Sequence, residues 1–251
     1  MTENELLDDV RCFVTLATDR AGIGDPDGAL AALERLAVDA YAKADDPAVR
    51  RAVSGGFIDV AIALASAGEP ATAVRADERL ATVFPHERDP GVRRDLARGL
   101  HNLALHRAEA GDLSAAINAG RLLFARHSSD TDPEIREAVA RGLRNLAIDE
   151  KTSGDLTGAI RTGERLVTTF GEDAEPAVRA AVSGGMINLA DDLALDGRLL
   201  DAIAAGERLI ALFGTDDEPS VRECVERART DLEARRAESD GPHTLSEFLG
   251  G

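Results

Sequence analysis

Arg94, Arg98 and His101 stand four and three residues apart, a spacing that places all three on one face of a helix, and Asn102 adjoins them. A related pattern returns 43 residues later as Glu137, Arg141, Arg144 and Asn145. A guanidinium offers a planar fork of N–H donors that fits a carboxylate through two parallel bonds. An Asn amide carries a donor and an acceptor, which matches the backbone of an extended peptide. These types on one face suit recognition of an acidic or C-terminal peptide. Arg98, Arg141 and Arg144 would hold carboxylates, Asn102 and Asn145 the backbone, with Arg94 and His101 alongside. The bland alternative is a solvated face on which Arg141 pairs with Glu137 one turn earlier.

Other chemistries find little support. Catalysis needs a nucleophile, a base and an orienting group in one cleft, and no motif supplies them. The acids Asp191 and Asp192 read as surface charge. His101 and His106 are five apart, not the three or four that would share a helical face, so no metal site is expected. Ser54-Gly55-Gly56 and Ser183-Gly184-Gly185 lie inside helices with no preceding strand, unlike a phosphate loop. Cys12 and Cys224 have no local partner and read as reduced thiols. The expectation is a non-catalytic chain without cofactor.

The elements that must position these residues repeat. Pro47, Pro90, Pro133, Pro176 and Pro219 recur every 43 residues, as do Gly68, Gly111, Gly154 and Gly197. An acidic residue precedes each Pro, and an acidic N-cap followed by Pro at the first helical position starts a helix. About 20 residues on, the Gly is placed to stop it in the left-handed conformation. A second helix follows and ends near Phe84, His127, Phe170 and Phe213. Residues 46–217 are thus four hairpins. Residues 1–45 read as a divergent hairpin capping one end. Residues 218–238 read as a polar helix capping the other, and 239–251 as a flexible tail with an apolar cluster at Leu245, Phe248 and Leu249. About eleven helices are expected in all.

Gly56, Gly99, Gly142 and Gly185 recur in mid-helix, where each costs about 1 kcal/mol against Ala, so close helix approach is expected there. Arg50, Arg93, Arg136, Arg179 and Arg222 recur three residues after each Pro. A residue repeated in every cassette serves the stack, and Glu78, Glu164 and Glu207 are the expected partners.

Gly-Asp-Leu-x-x-Ala-Ile at the turn, with Arg-Gly-Leu-His-Asn-Leu-Ala at 98–104 and Arg-Gly-Leu-Arg-Asn-Leu-Ala at 141–147, resembles the tetratricopeptide repeat. The likeness covers about residues 25–235. The period of 43 exceeds the usual figure of about 34 and looks like a long-helix bacterial variant. The family usually packs an aromatic late in the first helix, where this chain has Leu64, Arg107, Glu150 and Leu193. The resemblance implies an all-α, right-handed superhelical solenoid of antiparallel hairpins, whose first helices line a concave groove used to bind proteins or peptides.

A net charge of −17 argues against general binding of nucleic acid or anionic membranes, both of which need a positive field. The acidic N-terminus lacks the features of a secretory leader, and no stretch approaches about 18 uninterrupted apolar residues. A cytoplasmic scaffold with a protein partner is the expectation. The alternative is a solenoid that assembles with itself through its end helices or tail.

Overall fold

A computed structural model describes residues 3–39, 45–85 and 88–239. Within them the chain is helical throughout, with no strand: α1 (Glu3–Gly22), α2 (Pro26–Asp39), α3 (Pro47–Ser66), α4 (Pro70–Val83), α5 (Pro90–Glu109), α6 (Leu113–His127), α7 (Pro133–Thr152), α8 (Leu156–Phe170), α9 (Pro176–Leu195), α10 (Leu199–Phe213) and α11 (Pro219–Ser239). The tail from 240 onward lies outside the described residues. Contacts divide the chain into two compact units, residues 1–142 and 143–251, with the boundary inside α7.

The helix ends follow from the repeated punctuation. Asp46 accepts from the Ala48 N–H at 2.8 Å and Asp89 from the Gly91 N–H at 2.9 Å, so the acid before Pro caps the first turn. Glu175 makes no such bond: a longer side chain carries its carboxylate past the orphan amides. Asp173, two residues earlier, accepts from the Glu175 N–H, as Asp130 does from the Asp132 N–H and Asp216 from the Glu218 N–H. At the other end Gly111 has φ +83°, and the Asp112 N–H reaches back to the Arg107 carbonyl at 2.8 Å. This closes a left-handed C-cap that an L side chain resists. Asp112 then caps α6 by accepting from the Ala115 N–H at 3.0 Å. One dipeptide therefore stops one helix and starts the next.

In the first unit α3 packs on α4, α4 on α5, α5 on α6, and the first-type helices α1, α3 and α5 lie side by side. Val49, Val53, Phe57, Val60 and Leu64 fill the core on α3 without measurable exposure. In the second unit α8 packs on α9, α9 on α10, and α11 on both α9 and α10. Leu166, Phe170, Val182, Met186, Leu209 and Phe213 form its interior. The mid-helix glycines are where neighbours press in. A Cβ on Gly99 would stand 2.6 Å from Leu80 Cδ2, and one on Gly142 would stand 2.5 Å from Leu123 Cδ2. The expected close approach is met: at Gly99, Gly142 and Gly185 a second-helix Leu seats on the next first helix, and at Gly56 Val14 of α1 does so.

Two expectations are corrected. At Arg93 and Arg179 the repeated Arg does not reach the second-helix Glu. Arg93 pairs with Asp130, and Arg179 Nε lies 2.6 Å from Asp216 Oδ2. The reason is the antiparallel hairpin, which brings the loop after the second helix level with the first turn of the first. Glu78 pairs instead with Arg107, and Glu207 with Arg236 at 2.6 Å. Nor are the paired acids on α9 surface charge. Asp192 is buried and sits 2.6 Å from Lys151 Nζ, while Asp191 takes Arg227 at 2.8 Å and Arg235 at 2.5 Å.

Polar pairs stand where the resemblance would place a ring. Next to Arg107, the His106 Nδ1 lies 2.7 Å from Asp77 Oδ2, both buried. Burial pushes the Asp77 carboxyl up to about 6, against the opposing pull of the His106 hydrogen bond and charge. Glu150, also buried, accepts from the Thr162 hydroxyl at 2.7 Å. Asp149 beside it is likewise pushed up to about 6 by burial and by the Glu150 charge.

Candidate binding face on the first helices

The first helices of the first unit leave a cavity of about 280 Å³ between them. α3 contributes Ile62; α5 contributes Arg98, His101, Asn102 and Leu105; α7 contributes Glu134, Glu137, Ala138 and Arg141. These positions meet because residues three and four apart share a helical face, because α3 and α5 lie side by side, and because residues 133–142 of α7 belong to the same unit. Four of the seven residues singled out by spacing, Arg98, His101, Asn102 and Arg141, thus line one cavity. The other three lie elsewhere. Arg94 is one turn before Arg98. Arg144 and Asn145 belong to the second unit, where Arg144 lies over the glycines of α9: a Cβ on Gly184 would be 3.2 Å from its Nη1.

The side chains differ in how committed they are. Arg94 Nε donates to Asp132 Oδ2 at 2.8 Å, and its Nη1 lies 3.2 Å from Glu134. Arg141 Nη1 donates to Glu137 Oε1 at 3.2 Å, the pair one turn apart that the sequence allows. Arg98 is exposed and makes no ion pair among the described residues. The Asn102 amide, half-buried, likewise has no hydrogen-bond partner among them. His101 is only 8% exposed and forms wall beside Gly142. The wall opposite is apolar, with Ile62 44% exposed. The cavity thus brings together a guanidinium without an ion pair, an amide without a hydrogen-bond partner among the described residues, and an aliphatic wall.

The acids around it are the part that spacing did not show. The Ser54 hydroxyl donates to Asp95 Oδ2 at 2.5 Å. Burial pushes the Asp95 carboxyl above its ordinary value; the Ser54 bond and the Arg98 charge pull it down, while Asp59 and Glu134 push it up. Asp95, Asp59, Glu134 and Arg98 therefore share one field. A signal existed, since Asp59 occupies the column of Asn102 and Asp95 follows Arg94.

A second cleft, of about 440 Å³, lies in the second unit between α8 and α10 over α9. Met186, Leu189 and Leu193 floor it, and Glu164, Arg198, Asp201 and Arg208 stand at its rim. In the corresponding place between α4 and α6, Arg107 spans across to Glu78. Leu193 stands in that column and stops short, which leaves the space open. Arg198 and Asp201 pair with each other at 2.7 Å. Among the described residues no group of His, Cys, Asp and Glu has the arrangement of a metal site, and no helix is long and apolar enough to cross a membrane.

No protein-family model matches the chain, and no curated protein matches it either. Solved structures do. BtubC (BKLC) from P. vanneervenii superimposes with a TM-score of 0.53 at 18% identity, covering 95% of this chain and 84% of that one. A putative kinesin light chain of Podosopora anserina with nearly identical TPR-like repeats gives 0.54 at 16% identity, covering 95% and 99%. Together with the eleven helices described, this likeness establishes the fold: an all-helical array of tandem tetratricopeptide-like hairpins.

Proposed function

We propose that the chain is a non-catalytic protein-interaction scaffold that holds an extended peptide segment of a partner on the face built by its first helices. The observation that carries this reading is the cavity between α3, α5 and α7, where the uncommitted Arg98 and Asn102 stand beside the exposed Ile62. Asn102 would bond the peptide backbone, Arg98 a carboxylate, and Ile62 and Leu105 an aliphatic side chain. Arg94 and Arg141 are already held by acids, so they position the face and hold Arg98 among neighbours of both signs. Arg144 and Asn145 would serve the same recognition in the second unit. The hairpin of α1 and α2 and the polar helix α11 would cap the ends of the array.

The test is capture of partners by the immobilised chain, compared with Arg98→Glu, with Asn102→Ala, and with Arg126→Glu on the exposed surface of α6. Loss of the captured set with the first two and retention with the third is expected. Capture unchanged in Arg98→Glu and Asn102→Ala would remove this face from the proposal.

A further inference from the structure

The charges around this cavity do not describe a basic groove. Five carboxylates, Asp59, Asp95, Asp132, Glu134 and Glu137, stand around three guanidiniums, Arg94, Arg98 and Arg141. Two of the guanidiniums are engaged, Arg94 by Asp132 and Glu134 and Arg141 by Glu137. Arg98 is the one of the three without an ion pair among the described residues, although its charge acts on Asp95. Asp59 is exposed and makes no ion pair among the described residues, and Asp95 accepts the Ser54 hydroxyl at 2.5 Å and lies in the fields of Arg94 and Arg98. A run of acidic residues laid here would meet one available cation and several like charges. A basic side chain beside Arg98 would meet Asp59, Asp95 and Glu134 together.

We infer that the segment seated in this cavity carries a single acidic residue flanked by basic and aliphatic ones, and is not polyacidic. The inference rests on the reading of the cavity as a peptide site. Its geometry gives a spacing as well as a composition. The acidic side chain belongs at Arg98 on α5, and the aliphatic one at the wall of Ile62, Leu105 and Ala138. The basic one belongs towards Asp59 on α3. Neighbouring helix axes lie about 8–10 Å apart, and an extended chain advances about 3.3 Å per residue. The basic residue therefore falls about three positions from the acidic one.

The experiment is selection of a displayed library of random dodecapeptides on the full chain, with a parallel selection on the Arg98→Ala, Asn102→Ala double variant. Circular dichroism verifies that the variant folds. The expected result is enrichment of sequences with one Asp or Glu, an aliphatic residue and Lys or Arg about three positions away, absent from the variant selection. A synthetic peptide from that set should bind about tenfold more weakly to Asp59→Asn, Asp95→Asn, in line with the loss of a few exposed ion pairs. Enrichment of acid-rich sequences that still depends on Arg98 and Asn102 would overturn the inference and leave the peptide site standing. No enrichment, or enrichment unaffected by the double variant, would overturn the peptide site itself.

Discussion

Replacing Gly99 by Ala probes the packing that the whole array depends on. Gly99 lies in the middle of α5, where an added Cβ would stand 2.6 Å from Leu80 Cδ2 and 3.3 Å from Ile58 Cδ1. Carbon atoms pack comfortably at about 3.5–4.0 Å, so Leu80 must retreat by about 1 Å. It has little room, being 1% exposed. Overpacking of this kind costs about 1–3 kcal/mol, and the gain in helix propensity over Gly offsets about 1 kcal/mol of it. Gly55 on α3 is the control. Its nearest neighbour to an added Cβ is Asp95 Oδ2 at 4.0 Å, so Gly55→Ala should show the propensity gain alone. Urea unfolding followed by far-UV circular dichroism should separate the two substitutions by about 1–3 kcal/mol in favour of Gly55→Ala. In a Leu80→Ala background the 2.6 Å clash is gone and only the 3.3 Å contact with Ile58 remains, so Gly99→Ala should become close to neutral or stabilising, a coupling of about 1–3 kcal/mol. If Gly99→Ala stabilised as much as Gly55→Ala, and the two changes at 80 and 99 were additive, Leu80 would not be seated on Gly99.

Three further expectations can be checked the same way. Gly111→Ala should destabilise by about 1–2 kcal/mol, because φ is +83° and the space around its Cβ is open, so the whole cost is backbone; Gly111→Asn should cost less. Asp77 has its pKa raised to about 6, so its contribution to stability is fully present below about 4 and is lost as the pH rises through about 6. Unfolding measured across that window should show wild type gaining on Asp77→Asn as the pH falls, by on the order of 1–3 kcal/mol, and a constant difference would contradict the burial argument. Arg179 holds the Asp216 carboxyl below its ordinary value, so Arg179→Ala should cost up to about 1 kcal/mol at neutral pH. That difference should fade as the pH falls through the carboxylate range, because the pair is lost once Asp216 is protonated.

The fold was legible because its signals are local. An acid and Pro at each start and Gly at the stops act within a turn of where they stand, and the helices α3, α5, α7, α9 and α11 begin at the five prolines foreseen. The Arg141–Glu137 pair was legible for the same reason. The remaining ion pairs were not, because they depend on which residues of different helices come level. Arg93 meets Asp130 across a hairpin, Arg94 meets Asp132 and Glu134 at the start of the next first helix, and His106 on α5 meets Asp77 on α4. Asp192 looked like surface charge because its spacing does not reveal that Lys151 on α7 covers it. The candidate site shows the same division. Arg98, His101, Asn102 and Arg141 were picked out by spacing on their own helices. Of the acids that set the character of the cavity, Asp95 was legible three residues before Arg98 on the same helix, whereas Asp59 becomes a neighbour only when α3 and α5 lie side by side.

Photo-crosslinking from the binding face tests the central claim most directly. A photoreactive amino acid placed at position 62 on α3, whose side chain is 44% exposed in the cavity wall, would be compared with one at Arg126 on the exposed surface of α6. If partners seat on the first-helix face, position 62 should label a bound partner, and the label should disappear in Asn102→Ala. Labelling from position 126 with none from 62 would place the partner on the second helices and contradict the account.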